Sequence, residues 1–247
     1  MRKQRQLRFV GLVLLTIVIG AFVGQRALRP LWRPPRMPSM TRHNVGEVLE
    51  ALGPEIRTRL HPVFHDAGVS YPPNELALLG FKEERCLEVW ASRDDVWQYV
   101  KHYPILGLSG GLGPKLQEGD GQVPEGLYRV EALNPNSRFH LSIRLDYPNA
   151  FDREHAMREG RLEPGGDIYI HGGTDSVGCL AVGDPAIEEL FVIVAETGME
   201  SVRVILAPRD LRQPDANSPD LELPWSDALY DMIQEELNAF TPIPESL

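Results

Sequence analysis

A histidine and one of the chain's two cysteines stand eight residues apart in Ile170-His171-Gly172-Gly173-Thr174-Asp175-Ser176-Val177-Gly178-Cys179. A free thiol, with a pKa near ~8.5, is mostly protonated at neutral pH and a weak nucleophile. An imidazole within reach takes that proton as sulfur attacks, which is the logic of cysteine acyl transfer. Cys179 is therefore the candidate nucleophile and His171 its base. The tetrahedral oxyanion formed on attack requires fixed N–H donors. The backbone amides of Gly178 and Cys179 are the natural candidates, because glycine lets the chain approach a ligand closely. Ser176 either binds substrate or holds the turn, and Asp175 reads as a solvated loop residue. Arg144, Tyr147 and Asn149 could recognise a peptide carboxylate, although Arg144 fits an ordinary surface ion pair equally well. His140, on the same stretch as Arg144, reads as structural.

Such a pair works only if rigid elements hold it. Asp167-Ile168-Tyr169-Ile170 reads as a strand that fixes His171, and the glycine-containing loop after it folds Cys179 back. Further strands are expected at residues 84–91, 97–101, 126–132, 138–145, 167–171 and 202–207, separated by turn-formers such as Asn134-Pro135-Asn136 and Pro164-Gly165-Gly166. A helix should follow the cysteine, with Asp184 as its cap, Pro185 in its first position and Gly198 at its end. Ile187, Leu190, Phe191 and Val194 would form its buried face. Upstream, Val45, Val48, Leu49 and Leu52 share a helical face; Gly53-Pro54 then breaks the pattern, and Ile56, Leu60 and Phe64 resume it. Two short helices are thus expected there. A last helix is expected over 225–240, with Leu229, Met232, Ile233 and Leu237 on one side. Strands with a few helices predict an α+β domain, mainly β.

The pattern His171-Gly172 followed by Ser176-Val177-Gly178-Cys179 resembles the catalytic motif of the L,D-transpeptidase (YkuD-type) family of cell-wall enzymes. Gly113-Pro114-Lys115, Glu118-Gly119-Asp120-Gly121-Gln122, Pro124-Glu125-Gly126-Leu127-Tyr128, Asn134-Pro135-Asn136-Ser137 and Tyr147-Pro148-Asn149 are similar to its exported murein branch. The resemblance runs from about Leu76 to Arg209. Val177 stands where many members carry a second histidine, and Ala181 where an arginine is common. The resemblance implies an L,D-transpeptidase-like β-sandwich with flanking helices. It implies that the Gly172 carbonyl orients His171 and that Lys115 lines the cleft. It also implies peptidoglycan stem peptides as substrate, attacked by Cys179 to give a thioester, with no metal or organic cofactor. Two alternatives stay open: a hydrolase with the same site, which trims stem peptides or releases a murein-attached protein, and a non-catalytic peptidoglycan-binding module.

The formal net charge of −10 conceals a division. Residues 1–42 hold nine Lys/Arg and no Asp or Glu; 25 less nine leaves 16 basic against 35 acidic residues beyond them, a net of −19. That excludes a nucleic-acid partner, which calls for a basic footprint. The apolar run over 9–24 follows a basic start and reads as a signal peptide or an uncleaved signal anchor in the cytoplasmic membrane. The Arg- and Pro-rich stretch 25–42 reads as an extended linker. Residues 43–75 would then be a helical appendage, 76–210 the catalytic domain, and 211–247 a linker with the last helix. The expected location is the periplasm or cell envelope, with the N-terminal segment as a possible tether to the inner membrane. Cys86 reads as a small core residue, or as the partner of Cys179 in a disulfide.

Overall fold

The computed structural model describes residues 42–243. The expected signal or anchor segment and nearly all of the linker lie outside them. Among the described residues no helix is long and apolar enough to cross a membrane.

The domain is built on a mixed nine-stranded sheet: β1 (Leu76–Phe81), β2 (Cys86–Arg93), β3 (Val96–Pro104), β4 (Gly107–Leu108), β5 (Gly126–Ser137), β6 (His140–Leu145), β7 (Tyr169–His171), β8 (Leu180–Ala181) and β9 (Val202–Ala207). Its spatial order is β3-β2-β1-β9-β5-β6-β7-β8-β4. Flanking helices are α1 (Val45–Asp66), α2 (Ala150–Arg158), α3 (Asp184–Thr197) and α4 (Ser226–Leu237). The twelve-residue β5 joins the two halves: residues 126–129 pair with β9, and residues 130–137 pair with β6.

The sheet is curled, so that its halves face each other. β1 and β8 are five strand spacings apart, about 24 Å along a flat sheet. Yet a Cβ on Gly80 of β1 would lie 3.4 Å from Leu180 of β8 and 2.7 Å from Leu206 of β9. The expected sandwich is therefore one continuous sheet folded over its own core. That core joins Leu87 and Val89 to Leu141, Ile143, Ile170 and Leu180, with one face of α3 (Ile187, Leu190, Phe191, Val194) among them. On the opposite side of β1 and β9, Leu79, Phe81 and Ile205 pack against Leu229, Tyr230, Ile233 and Leu237 of α4.

Several elements differ from the sequence expectation. β1 was not foreseen: all six residues are buried, one face against the opposite half of the curled sheet and the other against α4, so Leu-Ala-Leu-Leu-Gly-Phe shows no alternation. The stretch 45–66 is one 22-residue helix rather than two, with Pro54 and Pro62 inside it. An interior proline costs about 3 kcal/mol. Burial of Val48, Ile56, Leu60 and Phe64 contributes roughly 1.5–3 kcal/mol each, and the Asn44/Glu47 capping box secures the first turn. Asn134-Pro135-Asn136 is not a turn but part of β5, next to an irregularity between Asn134 and Ser137. Asp184 does not cap α3; Gly183 occupies the cap, and Asp184 is the first helical residue. Cys86 and Cys179 are both free thiols, so the disulfide reading is set aside.

Candidate active site

Pairing in the second half of the sheet lines up chemistry that is scattered in sequence. Asn134 of β5 lies opposite Ser142 of β6, Ser142 opposite His171 of β7, and His171 opposite Ala181 of β8. His171 is only 2% exposed. Its Nδ1 is 2.7 Å from the Gly172 carbonyl oxygen. A carbonyl only accepts, so Nδ1 carries the proton and Nε2 keeps its lone pair. Phe139 stacks on the imidazole at 4.5 Å between centroids, fixing the ring plane.

Glycine is required after the histidine. A Cβ on Gly172 would lie 2.5 Å from Asp184 Oδ1 and 2.6 Å from the Phe139 carbonyl oxygen. Asp184 is held there because Oδ1 accepts the Gly173 N–H at 2.8 Å. The loop then turns through Gly178, whose φ of +90° favours glycine. Ser176 holds that turn: its Oγ accepts the Cys179 N–H at 3.1 Å and donates back to the Cys179 carbonyl. The Gly178 N–H donates to Ser109 Oγ at 2.6 Å, and Ser109 donates to the Gly121 carbonyl at 2.8 Å. Both expected oxyanion donors thus already have hydroxyl acceptors, and an oxyanion gains them only by displacing Ser109 and Ser176. Ser109 had no signal in sequence, since 69 residues separate it from Gly178.

Cys179 and His171 line one cavity of about 240 Å³, together with Asn134, Asn136, Ser137, Arg138, Phe139, Ser142 and Tyr169. A larger cavity of about 590 Å³, between the 112–122 segment and Leu221–Leu223, contains neither residue. The thiol points at the Asp167 carbonyl oxygen, 3.6 Å away. Burial pushes the Cys179 thiol up, against the Tyr169 backbone N–H, which favours the thiolate. Burial pushes His171 down, against its hydrogen bond to Gly172. Both shifts favour a resting pair of neutral thiol and neutral imidazole over a preformed ion pair.

The expected carboxylate readers are elsewhere engaged. Asn149 caps α2, accepting the Asp152 N–H and donating to the Leu127 carbonyl. The Tyr147 hydroxyl donates to the Pro164 carbonyl at 3.0 Å and is buried. Arg144 pairs with Glu131 and Asp167. Lys115 does not line the cavity; its buried ammonium pairs with Asp120 at 2.6 Å and donates to the Gln117 carbonyl. The lining polar groups come instead from the end of β5 and the start of β6. Asn134-Pro135-Asn136-Ser137 was visible as a motif, but its reading as a turn concealed that it faces His171.

A cysteine and a carbonyl-oriented histidine share one cavity on a curled mixed sheet. The chain belongs to the family described by the model "YkuD: L,D-transpeptidase catalytic domain", which matches residues 82–205. It is 39% identical over 142 residues to "Putative L,D-transpeptidase YafK" of Escherichia coli K12, covering 56% of this chain and 54% of that protein. The chain thus spans about half the length of the curated relatives it matches. Among solved structures it is similar to the helical cell shape determining protein Pgp2 from Campylobacter jejuni. That likeness has 20% identity and a TM-score of 0.46, and covers 66% of this chain and 56% of that one. It is also similar to L,D-transpeptidase 1 of Mycobacterium tuberculosis, with 12% identity and a TM-score of 0.32, covering 54% and 62%.

Proposed function

We propose that this protein is a cysteine acyltransferase acting on peptidoglycan stem peptides outside the cytoplasmic membrane. The observation that carries this reading is the Nδ1–H donated to the Gly172 carbonyl, which leaves Nε2 free as a base in the cavity that holds Cys179. As Sγ attacks the carbonyl of a diaminopimelate-type residue, its proton passes to His171 Nε2. The S–C bond forms, the peptide C–N bond breaks, and the imidazolium returns the proton to the leaving amine. The thioester then passes its acyl group to an acceptor amine, or to water, and the thiol is restored. Because burial keeps both groups neutral at rest, proton transfer accompanies attack rather than preceding it.

The test is incubation of the full chain with defined muropeptides beside Cys179→Ala, with products followed by mass spectrometry. Dimers that vanish in the variant are the expected result. Shortened peptides without dimers, also lost in the variant, would make the enzyme a hydrolase. Equal products from both proteins, or none from either, would overturn the assignment of Cys179.

A further inference from the structure

The cavity around Cys179 and His171 contains one permanent charge, and it is positive. Arg138 sits at the tip of the β5–β6 hairpin, exposed to solvent, and lines the cavity among neutral groups. Arg144, on the strand that follows, is already paired, with Glu131 at 3.1 Å and Asp167 at 3.2 Å. Among the described residues no carboxylate lies within 4.0 Å of the Arg138 guanidinium. In a chain with 35 Asp and Glu that is not for want of partners. A guanidinium with free N–H groups matches a carboxylate in charge and in planar, two-point geometry.

The hairpin that carries Arg138 is stiff. Asn136 exchanges two hydrogen bonds with the His43 backbone, at 2.9 and 2.8 Å. Its own N–H donates to Asn134 Oδ1 at 2.9 Å, and the Phe139 N–H donates to Ser137 Oγ at 3.1 Å. Phe139 in turn stacks on His171. Residues on both sides of Arg138 are therefore fixed relative to the reacting groups, so little ordering is needed when a ligand arrives.

We propose that Arg138 determines donor specificity by pairing with a carboxylate on a residue flanking the scissile bond, so that donors with this carboxylate free are preferred to amidated ones. The proposal rests on the stem-peptide reading and names the part of the substrate that the site selects. No bond changes at Arg138: the pair forms on binding and persists through the thioester.

Binding separates this from chemistry. Full-length Cys179→Ala and Cys179→Ala/Arg138→Gln would be titrated calorimetrically with three synthetic stem tetrapeptides. One is unmodified, one is amidated on the side-chain carboxyl of the third residue, and one is amidated at the C-terminus. One amidation should weaken binding to the single variant roughly two- to fivefold, the scale of an exposed ion pair. The same amidation should have no effect in the double variant, and Arg138→Lys should restore part of the discrimination. Raising the salt concentration should shrink the effect. Equal amidation penalties with and without Arg138 would overturn the proposal while leaving the acyltransferase reading intact. Failure of all three peptides to bind either protein would reject the stem-peptide reading, and the pairing with it.

Discussion

Gly172→Ala places a methyl group where the structure has no room. The new Cβ would lie 2.5 Å from Asp184 Oδ1, 2.6 Å from the Phe139 carbonyl oxygen and 3.1 Å from Ile187 Cγ2. Rotating Asp184 away would break its bond to the Gly173 N–H. Moving the Phe139 carbonyl would shift the ring stacked on His171. The remaining escape displaces the Gly172 backbone and, with it, the Gly172 carbonyl, which sets the imidazole tautomer. Overpacking of this kind costs about 1–3 kcal/mol, roughly 3–10 °C in Tm for a domain of this size. Misplacing a catalytic base by a fraction of an ångström to an ångström lowers the rate by about a hundredfold. Thermal unfolding by circular dichroism reads the first effect, and the rate of thioester formation on Cys179 by intact mass reads the second. An unchanged Tm together with an unchanged acylation rate would refute both the packing argument and the orienting role of the Gly172 carbonyl.

The remaining predictions concern protonation and the cap. Alkylation of Cys179 should keep rising with pH past the ordinary thiol value, because burial raises the thiol; a plateau near neutrality would instead reveal an imidazolium–thiolate pair. In stability, the depressed His171 contributes above about pH 6.5, and its contribution is lost as pH falls through its folded value. The raised Cys179 contributes below the ordinary thiol value of about 8.5, and its share is lost as pH climbs through its folded value. Unfolding measured across this range should show both losses diminished in His171→Gln/Cys179→Ser, and identical profiles would contradict them. Asn149→Ala should cost about 1 kcal/mol through loss of the α2 cap, with KM for donor peptide within twofold of wild type. A large rise in KM at constant Tm would return Asn149 to substrate binding.

Legibility followed the range of the interactions. β9 was read to the residue, because Val-Arg-Val-Ile-Leu-Ala is β-branched and sharply bounded. β1 was missed because it is covered on both faces, by the opposite half of the sheet and by α4, which erases the alternation from which half-buried strands are recognised. The single helix over 45–66 was hidden by Pro54, whose local cost is visible in sequence while the long-range burial of Ile56, Leu60 and Phe64 that offsets it is not. At the site, His171 and Cys179 were legible because they are neighbours in one loop. Asn134 and Ser142 were not, because only strand register places them beside His171. Lys115, Tyr147 and Asn149 were plausible by type, and it is their hydrogen bonds within the fold that withdraw them from the cavity.

β5 has a consequence for how the molecule opens. Its first residues bond to β9 and the rest to β6, with no break in the strand between them. Neither half of the sheet can detach without tearing hydrogen bonds from a strand that the other half also needs. The wall beneath His171 therefore has no private unfolding route, and its backbone amides should exchange with deuterium only in the slow class that reports global opening. A protease or oxidant that depends on local fraying would meet the loop around Val177, 83% exposed, long before it reached the imidazole.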